Sequence, residues 1–140
     1  MTDRWVIDAS VAVKWFLQEP RSVAAREVLS RQGRRIAPDR LLLEVANVLR
    51  RKERRGELTP AHADRAGATL SSFFHEILPT EPLLASAIDL SRRLDHPGYE
   101  CVFLAAAMSP GSRLITADDH FFRKLADWMD IVEPLPAGPG

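Results

Sequence analysis

Short apolar runs alternate along the chain with stretches of helical periodicity. Five such runs predict short strands, at residues 4–7, 35–37, 76–78, 113–116 and 131–132. The stretches between them predict helices, of which the longest begins after Asp39 and stops near Gly56. Strands that alternate with helices are typical of βαβ units, in which consecutive strands run parallel. We therefore predict one α/β domain, with a short, mainly parallel central sheet of about five strands flanked by helices.

The chain shows no repeat, linker or low-complexity segment. We predict a single domain over residues 1–133 and a flexible C-terminal tail over residues 134–140. No run approaches the ~18 apolar residues of a membrane span, and the first residues lack the pattern of a signal peptide. A single cysteine, Cys101, forms no internal disulfide. These features favour a cytoplasmic protein that does not enter a membrane.

The formal net charge is zero, but the charges are unevenly distributed. Residues 21–57 hold eleven Lys or Arg against five Asp or Glu, and residues 58–140 hold six against eleven. A basic lobe beside an acidic remainder suits a protein that attracts a polyanion. A solvated, arginine-rich helix explains the same charges, and charge alone favours that explanation.

Four acidic residues stand in apolar surroundings. Asp8 and Asp118 each follow a predicted strand, Glu44 interrupts the apolar stripe of the longest helix, and Glu100 precedes the apolar run 101–107. In a parallel sheet, ligands gather beyond the carboxyl ends of the strands. No Lys or Arg is expected to neutralise these acids, so together they would repel one another without a cation. Carboxylate ligands suit Mg²⁺ or Mn²⁺.

Simpler explanations exist for each acid taken alone. Asp8 and Asp118 can cap helices, and Glu100 suits the positive end of a helix dipole. Ser10 and Thr116 bring hydroxyl groups to the same rim, and Ser10 can also cap the helix that follows it. The histidines show no ligand spacing and are expected at the surface or in turns; they are His62, His75, His96 and His120.

Four segments carry a resemblance to a known family. Residues 6–15, 37–51, 96–107 and 114–121 contain the four acids in order. These segments resemble the motifs of PIN-domain ribonucleases and, more narrowly, of the toxins of VapBC-type toxin–antitoxin pairs. The resemblance runs from Trp5 to about Val132.

The resemblance implies an endoribonuclease that acts as a toxin. It implies that Asp8, Glu100 and Asp118 hold Mg²⁺ or Mn²⁺. Glu44 would complete the site or orient water, and Ser10 or Thr116 would support a ligand or a phosphate oxygen. The implied partners are RNA, a cognate antitoxin and a second copy of the chain.

Arg51 and Arg55 lie on the helix stripe of Glu44, seven and eleven residues beyond it. An RNA backbone could follow this stripe. Contact with the antitoxin, or plain solvation, explains the two arginines equally well.

The third acidic motif departs from the family pattern. The third acid is usually aspartate, so Glu100 predicts retuned or reduced activity, and a PIN-like module that only binds its antitoxin stays an alternative. Two other classes fit the sequence less well. A receiver-type phosphoacceptor needs an acidic pair at the end of the first strand and a lysine after a late strand, and residues 8–10 and 116–118 supply neither. A haloacid dehalogenase-type phosphatase needs a second aspartate two residues after the first, where this chain has Ser10.

Overall fold

The central sheet consists of five strands that all run parallel. The computed structural model describes residues 2–128 and 130–137. The strands lie side by side in the order β3-β2-β1-β4-β5. Their bounds are β1 Arg4–Ile7, β2 Arg34–Pro38, β3 Glu76–Leu78, β4 Ser112–Thr116 and β5 Val132–Pro134. The predicted α/β class and the five-stranded sheet are confirmed.

Helices connect consecutive strands. The described residues contain seven α-helices: α1 Ala9–Ala12, α2 Ser22–Glu27, α3 Arg40–Arg54, α4 Pro60–Thr69, α5 Leu84–Leu94, α6 Gly98–Ala107 and α7 Asp119–Arg123. Short 3-10 helices continue or precede several of them, at Val13–Trp15, Val28–Ser30, Leu70–Phe73, Glu81–Leu83 and Ala126–Trp128. Such tighter turns are frequent at helix ends. Among the described residues, no helix is long and apolar enough to cross a membrane.

The core lies on both faces of the central strands. Val6 and Ile7 of β1 and Leu114 and Ile115 of β4 are fully buried, since helices cover both sides of a parallel sheet. Residues 101–107 of α6 are all buried as well, because α6 packs between β1, β2 and β4 on one side and α5 on the other. This all-round burial explains why the sequence of α6 has no polar face.

The strand order creates a crevice between β1 and β4. The chain proceeds from β1 to β2 and β3 on one side, and then returns to β4 and β5 on the other. A parallel sheet binds ligands where the direction of winding reverses in this way, beyond the carboxyl ends of the strands. Ile7 pairs with Ile115, so the residues that follow, Asp8 and Thr116, lie side by side at this point.

The C-terminal strand extends beyond the predicted domain boundary. The boundary after residue 133 falls inside β5, whose last residue, Pro134, pairs with Thr116. Leu135 is buried, and its N–H donates to the carbonyl of Thr116 at 2.7 Å. The ordered domain therefore includes the first two residues of the predicted tail. Residues 138–140 of that tail lie outside the described residues.

Candidate functional site

Asp8 is a buried carboxylate whose hydrogen-bond partners are neutral hydroxyls. Its Oδ2 accepts from Thr116 Oγ1 at 2.7 Å and from Ser10 Oγ at 2.9 Å. In the described part of the chain, no Lys, Arg or His forms an ion pair with it. Burial raises the pKa of Asp8 above its ordinary value of 3.8, the two hydroxyls oppose this, and the charges of Asp118 and Glu100 add to it. A bound cation would relieve the cost of this buried charge.

A turn after β4 joins Asp118 to Asp8 through hydroxyl groups. Thr116 Oγ1, which donates to Asp8, accepts from the N–H of Asp118 at 3.0 Å. Ser10 Oγ accepts from the N–H of Ala117 at 2.9 Å. Asp118 Oδ1 accepts from the N–H of Phe121 at 3.0 Å, so Asp118 also caps α7. The structure thus brings Asp8, Asp118, Ser10 and Thr116 together.

The hydroxyl of Ser10 does not cap a helix, contrary to the sequence-based expectation. Helix α1 begins at Ala9, two residues before the start expected with Ser10 as the cap, and Asp8 occupies the N-cap position. Ser10 lies inside the first turn, where its hydroxyl donates to Asp8 and receives the N–H of Ala117. Its role is therefore to connect β1 and β4 across the crevice.

Glu44 reaches the same region from α3, with a cation beside it. Burial raises the pKa of Glu44 from 4.5 to about 7; the positive charge of Arg40 opposes this rise, and the charges of Asp8 and Glu100 add to it. Arg40 Nε lies 2.6 Å from Glu44 Oε1. The expectation that no basic residue would lie beside an acid is wrong here. The four-residue spacing of Arg40 and Glu44, which places both on one helix face, is the sequence feature that could have predicted this pair.

Arg40 also connects α3 to α6. Its guanidinium lies 4.5 Å from the centroid of the Tyr99 ring, next to Glu100 in the sequence. This contact brings the beginnings of α3 and α6 close together. Glu44 and Glu100 therefore approach one region from two helices.

Glu100 has a buried histidine as its partner. His96 Nε2 contacts Glu100 Oε2, and the imidazole ring stacks on Phe121 with 4.7 Å between ring centroids. His96 is only 6% exposed. His96 lies in the turn between α5 and α6, within the expectation of a surface or turn residue, but its burial and its contact with Glu100 were not expected. Its four-residue spacing from Glu100 gave a usable signal, but Pro97 between them obscured it.

The four carboxylates act on one another through their charges. Asp8 is influenced by Asp118 and Glu100, and Glu44 by Asp8 and Glu100. No group of three His, Cys, Asp or Glu side chains in the described part of the chain is arranged to hold a metal ion directly. Mg²⁺ normally keeps several waters and binds through one or two carboxylates, so it does not require three direct protein ligands. The oxygen-only donors and the unpaired charge of Asp8 fit Mg²⁺ or Mn²⁺.

A cavity lies apart from the four acids. This cavity of about 760 Å³ is lined by Trp15, Phe16, Leu58, Glu19 and Lys52, among others, and by none of the four acids. Trp15 is 8% exposed and packs on Phe73 at 5.4 Å between ring centroids. This wall of the cavity is therefore part of the core.

Comparison with known proteins identifies the fold. The model of the PIN-domain family matches residues 5–127. Comparison with curated proteins gives no significant match.

Solved structures with the same fold are distant in sequence. PAE2754 from Pyrobaculum aerophilum has a TM-score of 0.71 and 20% identity over 96% of this chain and 91% of that one. The Mycobacterium tuberculosis toxin VapC20, described as cleaving the sarcin–ricin loop, has a TM-score of 0.67 and 17% identity over 85% and 93% of the two chains. VapBC2 from Rickettsia felis, bound to a DNA fragment from its promoter, has a TM-score of 0.64 and 10% identity over 95% and 99%.

Proposed function

Because the chain belongs to the PIN-domain family, whose members are nucleases, we propose that it is a metal-dependent endoribonuclease. We propose further that it acts in the cytoplasm as the toxin of a toxin–antitoxin pair. The observation that carries the nuclease proposal is the buried Asp8, whose partners are hydroxyls and whose pKa is raised by burial and by the neighbouring carboxylates Asp118 and Glu100. A carboxylate in this setting is well suited to a divalent cation.

Three residues would hold the cation. Asp8 would bind it most directly, with Asp118 and Glu100 reaching it directly or through water, and Mg²⁺ or Mn²⁺ is the expected ion. When bound, such an ion polarises the phosphodiester and makes hydroxide available at neutral pH. The positions of Asp8 and Asp118 beyond the ends of β1 and β4 support these assignments.

The remaining residues would orient the reactants. Glu44, with a pKa of about 7, can accept a proton from an attacking water near neutral pH. Thr116 and Ser10 fix the Asp8 carboxylate through their hydrogen bonds. Arg51 in the last turn of α3 and Arg55 at its C-cap are both exposed and would contact the RNA backbone.

The toxin assignment rests on the fold and on the sequence motifs together. Two of the similar structures are a VapC toxin and a VapBC complex, and an antitoxin partner is proposed for this chain by analogy with them. A homodimer is part of the proposal. Large apolar side chains are exposed on two helices, Leu43 on α3 and Leu84 and Ile88 on α5, and a second copy of the chain would cover such side chains.

A second candidate is a PIN-like module that binds its partner and cleaves weakly. Two of the four acids already have a basic side chain as partner, since Glu44 lies against Arg40 and Glu100 against His96. These contacts compete with a metal for the carboxylates. The departure from aspartate at Glu100 points in the same direction.

RNA cleavage by the purified chain separates the two candidates. A mixture of structured RNAs and a single-stranded DNA control would be incubated with Mg²⁺, with Mn²⁺ and with EDTA. The nuclease proposal predicts internal cuts in RNA with either metal and none in EDTA. Cleavage that persists in EDTA contradicts a metal mechanism, and no cleavage at any metal concentration favours the binding module. Suppression of cleavage by the product of an adjacent small reading frame would test the toxin assignment.

A further inference from the structure

Arg21, at the start of α2, contacts the turn that carries Asp118. We propose that Arg21 is a positioning residue: it holds the 117–119 turn so that the Asp118 carboxylate faces the cation site. The inference rests on the proposed function, because it assigns a role within that site. Arg21 lies 97 positions before Asp118 in the sequence, and no motif links the two.

The guanidinium of Arg21 joins three parts of the chain. Its Nη1 donates to the carbonyl of Ala117 at 3.2 Å, and its Nη2 donates to the carbonyl of Leu135 at 2.6 Å. Nη1 also lies 3.3 Å from both carboxylate oxygens of Asp119. The Arg21 side chain is 19% exposed, so these contacts exclude much of the solvent. Arg21 therefore fixes the turn on one side and the C-terminal segment on the other.

The peptide between Ala117 and Asp118 is held from both ends. Arg21 binds its carbonyl, and Thr116 Oγ1 accepts its N–H at 3.0 Å. The same threonine hydroxyl donates to Asp8 Oδ2 at 2.7 Å. The orientation of this peptide determines the direction in which the Asp118 side chain leaves the backbone. A continuous set of hydrogen bonds thus runs from Arg21 through one peptide to Asp8.

Arg21 also neutralises the acid beside Asp118. Asp119 is 64% exposed and pairs with Arg21, whereas Asp118 forms no ion pair with any Lys or Arg of the described chain. Of the two adjacent carboxylates, Arg21 thus pairs with Asp119, the one that lies outside the crevice. Asp118 keeps its negative charge available for a cation.

The backbone of Arg21 is unfavourable for an arginine. Its φ angle is 71°, and only one other non-glycine residue among those described has a positive φ, Asp95 at 48°. Glycine adopts this left-handed conformation without strain, while other residues persist there only when their surroundings hold them. The contacts of the side chain supply that restraint. A side chain kept at a position that suits glycine indicates that the side chain itself has a role.

Two substitutions separate positioning from general stability. Arg21→Gly removes the contacts and relieves the backbone at the same time, so the fold is expected to survive. Arg21→Lys keeps the charge but offers no planar fork to reach several acceptors. The matched control is Arg31→Ala, since Arg31 pairs with Glu133 of β5 at 2.6 Å and lies outside the 117–119 turn. Mn²⁺ affinity by calorimetry, amide hydrogen exchange of the metal-free protein and melting temperature would be measured for all four proteins.

The proposal predicts a specific pattern. Arg21→Gly should bind Mn²⁺ about tenfold more weakly, as is typical when a residue that orients a ligand is lost, with Arg21→Lys between it and wild type. Exchange over residues 116–121 should accelerate in metal-free Arg21→Gly and stay unchanged in Arg31→Ala. Unchanged exchange in this segment, or wild-type Mn²⁺ affinity in Arg21→Gly, overturns the proposal. If wild type itself binds no Mn²⁺, the proposed function fails, while the exchange data still decide whether Arg21 holds the turn.

Discussion

At the candidate site, Asp8 is buried and Glu44 is partly buried, and the partners of the two acids differ in kind. Asp8 receives hydrogen bonds from Ser10 and Thr116, which carry no charge. Glu44 lies against Arg40, and Glu100 similarly lies against His96. The strand-end half of the site, Asp8 with Asp118, therefore lacks a cation among the described residues. The helix half, Glu44 with Glu100, has partners of its own. The proposed cation would therefore matter most to the strand-end half.

The largest effect is expected from Asp8→Asn. The substitution keeps the size of the side chain and an acceptor for the two hydroxyls, but it removes the charge. Cleavage of RNA should fall at least about a hundredfold, or ~2.7 kcal/mol of barrier, because both charge and ligand are lost. Single-turnover rates at saturating Mg²⁺ measure this. The matched control is Asp64→Asn on the exposed side of α4, which should cleave like wild type. A loss under threefold for Asp8→Asn would remove Asp8 from the chemistry.

Glu100 tests whether the helix half also reaches the metal. Glu100→Asp should keep activity within about tenfold, ~1.4 kcal/mol of barrier, whereas Glu100→Gln should lose more than that because a neutral amide binds a divalent cation poorly. If Glu100 serves only the helix dipole, glutamine should lose ~0.3–1 kcal/mol of stability and cleave normally.

Rates across a Mg²⁺ titration distinguish these roles of Glu100. Glu81→Gln, which changes a first-turn glutamate of a 3-10 helix, is the control for the dipole effect. Equal rates for Glu100→Gln and wild type at limiting Mg²⁺ would place Glu100 outside the site.

The strand ends and the helix starts differ in how far the sequence predicts them. All five strands were predicted, because their short apolar runs are bounded by clear breaks, although the edge strand β3 contains no fully buried residue. Asp8 and Asp118 follow such runs directly, so their places at the sheet edge follow from the strand pattern. Arg40 beside Glu44 and His96 beside Glu100 were not predicted. Whether two side chains touch at a helix start depends on rotamers and on the angle between helices, which periodicity does not encode.

Contacts between residues far apart in the sequence were even harder to predict. Arg21 contacts Ala117 and Leu135 only because α2 packs near the end of β5, a consequence of the whole topology. The predicted boundary after residue 133 missed the last strand residue for a related reason. The Pro-rich composition there predicts irregular chain, whereas pairing with Thr116 and burial of Leu135 keep it in the domain.

Arg40→Ala tests the partner of Glu44 through pH. The pKa of Glu44 is about 7, and the charge of Arg40 holds it below the value that burial alone would produce. Without Arg40 the pKa rises further, so less Glu44 is ionised at pH 7. At limiting Mg²⁺ the variant should cleave several-fold more slowly at pH 7 and recover toward wild type by about pH 9, because an opposite charge shifts a carboxyl pKa by ~1–3 units.

The control for this pH effect lies on the same helix. Arg50→Ala breaks an exposed pair with Glu53 and should leave the pH profile unchanged. A profile of Arg40→Ala that is parallel to wild type at every pH contradicts the proposed role of Glu44 as a proton acceptor.

The smallest expected effect is on the stability of the metal-free protein. Burial raises the pKa of Asp8, so the folded chain binds its proton more tightly than the unfolded chain. The contribution of Asp8 to stability is thus full below pH ~4 and is lost as pH rises through the folded pKa. In EDTA at pH 8, Asp8→Asn should therefore melt a few degrees above wild type, consistent with ~1 kcal/mol. Added Mg²⁺ should stabilise wild type and reverse the order; a lower melting temperature for Asp8→Asn in EDTA would contradict the unpaired charge.

The most direct test of the shared cation is a crystal structure with Mn²⁺, examined by anomalous scattering. The four carboxylates are expected to define one site at the crevice between β1 and β4. We predict an anomalous peak within direct or water-bridged reach of Asp8 and Asp118, and no such peak in Asp8→Asn. A crystal saturated with Mn²⁺ that shows no peak beside Asp8, or shows one only elsewhere on the surface, would contradict the proposed metal centre.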